Sequence, residues 1–319
     1  MRKKICIGTR GSKLALWQAN FIKSEIERLF PDINVDLKII KTKGDKITDR
    51  PLAMVGGKGL FVKEIEADLL NKDIDLAVHS MKDMPGELPE GLIVGAIPER
   101  ANPFDILIAK DNCLLNNYKK DAVIGTSSLR RASQIKHIRP DVQIKSIRGN
   151  LDTRINKLKS GEYDAIVLAA AGLIRLGQAD AITEYLDEAV MLPAVGQGAL
   201  CIETRLNDNN IAPIMEKLDH HDTRVCVTGE RAFLKQIEGS CHIPVACFAK
   251  IENSRIENNT IKNSKIILAA LVASEDGTKL IKKQIISSME TIENAGKTLA
   301  DTILEDGGRK ILETLDSNE

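Results

Sequence analysis

The chain has 319 residues, of which 45 are Lys or Arg and 45 are Asp or Glu, so its formal net charge at neutral pH is zero. A hydrophobic content of 43% is enough for a sizeable core, but aromatic residues make up only 3%. These values argue against a nucleic-acid-binding protein, which normally combines a basic excess with aromatic stacking surfaces.

No stretch of the chain approaches ~18 consecutive apolar residues, and the apolar run near the N-terminus is broken by Gly8, Arg10 and Lys13. We therefore expect a cytoplasmic protein with no membrane partner and with its six cysteines reduced. The cysteines form no CxxC pair and the five histidines lack the spacing of metal ligands, so we expect no metal site.

The first two thirds of the chain alternate between short β-branched segments and amphipathic segments. The predicted strands are 4–8, 35–41, 74–80, 92–97, 105–110, 122–126, 142–148 and 164–170. The predicted helices between them are 13–30, 60–71, 128–138 and 151–160, with Ser12 and Asn150 as the predicted N-terminal caps of the first and the last. This alternation predicts parallel α/β sheets.

Two further segments complete the predicted elements. Segment 41–61 is rich in Gly, Lys and Asp without either period, which predicts a long exposed loop that could act as a lid. The last hundred residues predict a small α+β domain, with helices at 222–238 and 290–316 and strands near 245–251 and 265–273.

Arginines are concentrated where predicted strands end or helices begin. Segment 125–131, GTSSLRR, places three hydroxyls at a helix start and two guanidinium groups one turn later, and Arg10 with Ser12 repeats this arrangement near the N-terminus. Guanidinium groups bind carboxylates or phosphates in a bidentate manner. We expect an anion with several charges, met from two lobes, and we favour carboxylates because neither GxxxxGK[ST] nor GxGxxG is present.

Asp83 follows the predicted strand 74–80 in the segment HSMKDMP, at the sheet edge where open α/β folds bind ligands. An ordinary surface turn explains the pattern equally well. In a cationic cleft, however, this carboxylate could accept an N–H group and stabilise a positive charge that develops during a reaction.

Cys241 lies in the segment GSCHIP, whose glycine and proline indicate a tight loop that exposes the thiol. Free cysteines are more often small buried hydrophobic residues, and the other five fit that interpretation. No Asp/His pair adjoins Cys241 to form a protease-type relay. An exposed thiol without a relay would suit permanent attachment of a group.

Eight segments in this order resemble the porphobilinogen deaminase (hydroxymethylbilane synthase) family. They are IGTRGSKLALWQA, GGKGLFVKEIE, DLAVHSMKDMP, IGTSSLRRASQI, IRGNLDTRI, DAIVLAAAGLIRLG, LPAVGQGAL and ERAFLKQIEGSCHIPVA. Lys13, Ser240 and His242 stand where the family commonly has proline, glycine and glutamine. None of these three positions is one of the groups that the resemblance assigns to chemistry.

The resemblance implies a transferase of haem biosynthesis that condenses four porphobilinogen molecules head to tail, releasing ammonia, to give the linear tetrapyrrole hydroxymethylbilane. It implies a dipyrromethane cofactor held by a thioether to Cys241, and Asp83 as the catalytic carboxylate. The residues that it assigns to cofactor and substrate binding are Arg10, Ser12, Lys58, Ser80, Lys82, Thr126, Ser127, Ser128, Arg130, Arg131, Arg148, Gly149, Arg154, Ala169, Arg175 and Gln197.

The family resemblance also implies a monomer of three domains. These are two α/β lobes resembling periplasmic binding proteins, formed by 1–98 with 195–216 and by 99–194, and a smaller α+β domain, 217–319, that anchors the cofactor. Two other classes of protein stay open: a non-enzymatic anion receptor, and a thiol-dependent acyltransferase, which would carry a labile thioester where a stable thioether is expected.

Overall fold

The structure is a computed structural model that describes residues 3–46, 59–237, 243–252, 256–257, 260–261 and 265–316. Its chain divides into two compact units. The first comprises Met1–Ala101, Arg175–Gly177 and Gly198–Arg224, and the second comprises Asn102–Ile174, Gln178–Gln197 and Val225–Glu319. The three-domain boundaries given above stay a prediction.

The strands are numbered in chain order. They are β1 Lys4–Thr9, β2 Asn34–Ile39, β3 Leu76–Ser80, β4 Leu92–Ala96, β5 Asp105–Ala109, β6 Val123–Gly125, β7 Gln143–Lys145, β8 Ala165–Ala169, β9 Glu184–Leu186, β10 Leu200–Arg205, β11 Val245–Glu252, β12 Ile256–Glu257, β13 Thr260–Ile261, β14 Lys265–Ala273 and β15 Leu280–Ser287.

The α-helices follow the same convention. They are α1 Lys13–Leu29, α2 Lys43–Lys46, α3 Lys63–Leu70, α4 Leu129–Ile138, α5 Leu151–Lys159, α6 Ala170–Arg175, α7 Ala212–Leu218, α8 His221–Gln236, α9 Ile292–Ile303 and α10 Arg309–Asp316. In the part of the chain that the structure describes, no helix combines the length and the apolar character needed to span a membrane.

The first unit is built on a five-stranded sheet in the order β2-β1-β3-β10-β4. Helix α1 buries Ile22 and Ile26 against the apolar side chains of β1 and β2, among them Ile5 and Val35. Each such side chain contributes about 1.5–3 kcal/mol when fully buried. As predicted, Ser12 caps this helix, because its side chain accepts a hydrogen bond from the backbone N–H of Ala15.

The second unit contains a five-stranded sheet in the order β7-β6-β8-β5-β9. Asn150 caps α5 by accepting from the N–H of Thr153, again as predicted. The prediction of purely parallel sheets is wrong for one strand in each sheet, since β5 and β10 run antiparallel to both of their neighbours. Neither β5 nor β10 follows a strand of its own sheet along the chain, because β5 comes after β4 and β10 comes after β9. A crossover helix within one sheet, which imposes a parallel direction, therefore does not lead into either strand.

The C-terminal part of the second unit is an antiparallel sheet, β11-β14-β15, packed with α8 and α9 around one apolar cluster. Strand β15 was not predicted, because Lys282, Lys283 and Gln284 interrupt its alternation with three exposed polar residues. The predicted helix 290–316 is in fact two helices, since Gly307 has a φ of 110° between them. The predicted α/β class with a smaller α+β part is confirmed.

Part of the segment 41–61, which is predicted to be a loop, is helical in the structure. Residues Lys43–Lys46 form the short helix α2, and Gly44 is buried against the ring of Phe61. A single helical turn is too short to show a periodic pattern, which explains the missed helix. Residues 47–58, with Lys58, lie outside the described residues, as does Cys241.

Candidate functional site

A pocket in the first unit brings together four of the predicted site residues. Strands β1 and β3 are parallel neighbours, so their carboxyl ends and the start of α1 meet at one sheet edge. The pocket is lined by Arg10, Ser12, Leu14, Ala15, Gln18, Phe61, Val62, Val78, His79, Ser80 and Asp83. It therefore joins a guanidinium group, two hydroxyls and a carboxylate.

Arg10 is held in this pocket by Asp45, a partner that sequence analysis missed. Its Nε donates to the Asp45 carboxylate at 3.0 and 3.3 Å, and its guanidinium carbon lies 4.1 Å from the centre of the Phe61 ring. Burial alone would raise the pKa of Asp45, but the hydrogen bonds and charge of Arg10, with help from Thr42, lower it. Arg10 thus has a counterion in this conformation, which a ligand carboxylate would have to replace or share.

Asp83 ends a single 3-10 turn, Met81–Asp83, that directly follows β3. The surface-turn interpretation is right about the backbone, yet Asp83, which is partly exposed, is also one of the residues that line the pocket. Nearby, Ser80 Oγ accepts a hydrogen bond from Gln18 Nε2 at 2.9 Å. Lys82, in the same turn, is partly exposed and does not line the pocket.

Arg175, at the end of α6, belongs to the first unit. One terminal nitrogen donates to the carbonyl of Gly198 at 2.7 Å, and its guanidinium carbon lies 5.9 Å from the centre of the Trp17 ring. Burial lowers the pKa of Arg175 to about 10, which leaves it charged at neutral pH. Within the described ranges no carboxylate pairs with it, so this cation is available to an anionic ligand.

In the second unit, Arg130 and Arg131 converge on the buried carboxylate of Asp105. Arg130 donates to it at 2.7 and 3.2 Å, Arg131 Nε donates at 2.9 Å, and Gln197 Nε2 donates at 3.1 Å. Burial lowers the pKa of Arg131, although the charge of Asp105 opposes this. Three predicted ligand-binding residues therefore form an internal network, and sequence analysis missed Asp105 because it is the first residue of an apolar strand.

A second group of cations lies close to that network. Arg154 Nε donates to the carbonyl of Gly149 at 2.8 Å, and Gly149 has a φ of 113° that favours glycine. Burial, and then the charges of Arg131 and Arg148, lower the pKa of Arg154 to about 10. No carboxylate is paired with Arg148 or Arg154 among the residues described. The ion pairs with Asp105 therefore account for Arg130 and Arg131 only.

The predicted hydroxyls at the start of α4 differ in their accessibility. Thr126 is buried and its Oγ1 accepts from the N–H of Ser128 at 3.2 Å. Ser127 Oγ donates to the carbonyl of Ile147 at 2.6 Å. Ser128, which is less exposed than Ser127, is the cap residue of α4, but its side chain makes no capping hydrogen bond.

The remaining predicted binding residue is Ala169. It ends β8 and is aligned with Asp105 of β5 in the sheet register. Its half-buried methyl group therefore lies at the strand end beside the Asp105 network. It can contribute surface but no charge or hydrogen-bonding side chain.

The fold defines an α/β protein, and each unit carries a guanidinium group that has no paired carboxylate among the described residues, Arg175 in the first and Arg154 in the second. Two family profiles match the chain: "Porphobilinogen deaminase, dipyromethane cofactor binding domain" over residues 5–213 and "Porphobilinogen deaminase, C-terminal domain" over residues 224–305. The chain belongs to the porphobilinogen deaminase family.

Curated relatives match almost end to end. The porphobilinogen deaminase of Chlorobium phaeovibrioides is 46% identical over 316 residues, covering 98% of each chain. That of Desulforamulus reducens is 44% identical over 319 residues, covering 100% of each. That of a Geobacillus species is 48% identical over 314 residues, covering 98% of this chain and 97% of the relative.

Solved structures give more distant matches. One is a TRAP periplasmic solute binding protein from Desulfovibrio salexigens, 11% identical, with a TM-score of 0.41 over 68% of this chain and 72% of that one. Another is a YaeC-family lipoprotein from Enterococcus faecalis, 13% identical, with a TM-score of 0.40 over 68% of this chain and 91% of that one.

Proposed function

We propose that the chain is a hydroxymethylbilane synthase, which condenses four porphobilinogen molecules head to tail, releases ammonia and forms hydroxymethylbilane for haem biosynthesis. The observation that carries this proposal is the full-length relationship to porphobilinogen deaminases at 44–48% identity. The guanidinium groups without carboxylate partners support it, because each porphobilinogen ring carries an acetate and a propionate side chain.

Asp83 is the carboxylate that we assign to the chemical step. It lines the pocket with Arg10, Ser12 and Ser80. When ammonia leaves the aminomethyl group of the substrate, positive charge develops on the pyrrole nitrogen. A carboxylate that accepts the pyrrole N–H stabilises this charge, and such preorganised groups commonly contribute 10²–10³-fold in rate.

In each unit we assign cationic groups to the binding of carboxylates of the substrate or of the growing chain. In the first unit these are Arg10 and Arg175, with Ser12, Ser80 and Lys82 beside them. In the second unit Arg148 and Arg154 are the strongest candidates, since Arg130 and Arg131 already bind Asp105. We expect Lys58 to contribute as well.

The dipyrromethane cofactor fits the second set of guanidinium groups. Burial of a cation costs free energy unless an anion accompanies it, and Arg154, whose pKa burial lowers, has no carboxylate paired with it among the residues described. Arg148, Arg154 and Ser128 would hold the cofactor's carboxylates, with Cys241 as its thioether anchor. The bound cofactor supplies the primer to which substrate rings are added.

The cellular setting stays a prediction from the sequence. We expect a cytoplasmic monomer whose partner is a small-molecule substrate, without nucleic acid, membrane or metal. Gel filtration with light scattering would test the monomer, and an unchanged turnover after dialysis against a chelator would test the independence from metal.

The test of the proposed function is the intact mass of the denatured protein, measured for wild type, Cys241→Ser and the control Cys113→Ser. We expect an increment of two condensed pyrrole rings in wild type and in the control, and none in Cys241→Ser, which should also release no ammonia from porphobilinogen. An increment that hydroxylamine removes would indicate a thioester and an acyltransferase. Reversible binding of porphobilinogen without ammonia release would indicate a receptor.

A further inference from the structure

Behind the pocket of the first unit lies a group of titratable side chains that the proposed mechanism does not use. His79, on β3, is only 5% exposed, and its Nε2 lies 3.1 Å from Oε2 of Glu203, on β10. Glu203 is fully buried, and Glu66, on α3, is 5% exposed. His79 thus contacts the buried Glu203 directly, and Glu66 belongs to the helix that packs on the strand of Glu203.

The hydrogen bonds of this group are incomplete. Among the described residues and within hydrogen-bond distance, no partner meets Oε1 of Glu203 or Oε1 of Glu66. A buried carboxylate oxygen without a donor is costly, and two ionised carboxylates in one buried site repel each other. Protonation of one carboxyl group removes this repulsion and lowers the cost of burying that group.

The surroundings of Glu66 favour its protonated form. Burial, and then the charge of Glu203, raise the pKa of Glu66 to about 7, whereas Lys63 on the same helix lowers it. Arg205 does not neutralise the group, because it is paired with Asp208 and Asp75. The other titratable groups on α3 and on the strands packed against it are Glu64, Asp68, Lys4, Cys6 and Cys201.

The group is connected to the proposed catalytic segment through β3. His79 immediately precedes Ser80, and it is aligned with Cys201 of β10, two residues before Glu203. The N–H of Met81 donates to the carbonyl of Ala199 at 3.0 Å, so the backbone that leads to Asp83 is anchored on the β10 side. A movement of Glu203 would therefore be transmitted to the end of β3.

We propose that Glu66, Glu203 and His79 form a buried cluster that binds a proton and thereby positions the segment Ser80–Asp83. Loss of this proton adds a negative charge to the buried site, separates the carboxyl groups and displaces the end of β3. Glu66, Glu203 and His79 are positioning residues, and the effect on turnover rests on the function proposed above.

The test compares wild-type holoenzyme with Glu66→Gln, Glu203→Gln and the exposed control Glu90→Gln. A carboxyl group with a raised pKa in the folded state stabilises the protein at low pH, and this contribution is lost as the pH rises towards 7. Between pH 5.5 and 8, the melting temperature of wild type and of the control should fall by about 5 °C more than that of Glu66→Gln. The infrared C=O stretch of a protonated carboxyl, seen in wild type at pH 6, should be absent from Glu66→Gln.

Turnover provides the second measurement. In wild type, kcat should fall as the pH rises above 7, and this fall should be absent from Glu66→Gln. In Glu203→Gln, kcat should drop at least about tenfold while KM changes less than about twofold and the cofactor mass is retained, because Asp83 is misplaced but ligand-binding arginines are not.

Two results would overturn the inference: a Glu66→Gln protein that follows wild type in melting temperature and infrared spectrum at both pH values, or a Glu203→Gln protein with wild-type kcat. The melting and infrared measurements require no turnover. They therefore test the protonation of the cluster even if the protein proves not to be a synthase. Failure of the mass and ammonia tests would contradict only the proposed synthase function.

Discussion

The buried carboxylate of Asp105 binds three residues that the sequence assigns to ligand binding. Arg130, Arg131 and Gln197 all donate to its carboxylate, so the two guanidinium groups that are most prominent in the sequence are held in place inside the protein. The charge of Arg131 still contributes to the field around Arg154. We interpret this network as support for the ligand-binding arginines rather than as the binding surface itself.

Removal of this carboxylate tests that interpretation. Asp105→Asn leaves two buried guanidinium groups without a counterion, which should cost about 3–5 kcal/mol in the free energy of unfolding. The control is Glu293→Gln, which removes an exposed pair with Lys297 and should cost less than about 1 kcal/mol. Urea unfolding of both variants gives the comparison, and equal costs would show that the network is not structural.

The proposed role of Asp83 predicts a different kind of loss. Asp83→Asn keeps the size of the side chain but removes the negative charge that stabilises the developing cation, so kcat should fall about 10²–10³-fold. The mass increment of the cofactor and the melting temperature should stay near wild type, because the side chain is partly exposed. Ammonia release and intact mass are the two measurements, and wild-type turnover would contradict the role.

At the scale of elements, the β14–β15 hairpin packs its turn against the helix that carries Arg130 and Arg131. Gly277 in this turn has a φ of 72°, and its carbonyl lies 3.0 Å from Nδ1 of His137 on α4. A Cβ atom on Gly277 would lie 2.7 Å from the backbone nitrogen of His137. The C-terminal sheet thus fixes the position of α4 through a backbone contact that admits only glycine.

This contact can be tested against a second glycine with similar backbone geometry. Gly277→Ala combines left-handed strain with a collision against helix backbone and should cost about 2–4 kcal/mol. Gly161→Ala, at a φ of 85°, brings Cβ no closer than 3.4 Å to Lys110 Nζ and should cost only about 1 kcal/mol. Denaturant unfolding measures both values, and a similar cost at both positions would exclude a specific role for the contact.

Although the molecule as a whole has a formal net charge of zero, it has local cationic sites at Arg154 and Arg175. Arg154 and Arg175 keep their charge without carboxylate partners in the described parts of the chain, while opposite charges elsewhere balance them. Attraction of a multiply charged substrate should therefore be local and sensitive to salt. Overall stability should depend less on salt, since its main contribution comes from apolar cores.

The corresponding measurement is the ionic-strength dependence of steady-state kinetics. Between about 0.01 M and about 0.5 M NaCl, KM for porphobilinogen should rise several-fold while kcat changes less than about twofold, because salt screens exposed carboxylate–guanidinium attraction. The melting temperature over the same range serves as the control. A KM independent of salt would argue against substrate binding through accessible arginines.

The sequence by itself determined the alternating elements, the caps of α1 and α5 and the family, because these depend on local periodicity, local hydrogen bonds and motifs. Only the tertiary structure decided the direction of β5 and β10, the burial of Arg130 and Arg131 on Asp105, and the pairing of Arg10 with Asp45. Each of these depends on residues about 25 or more positions apart, where loop closure and burial, rather than local pattern, select the partner.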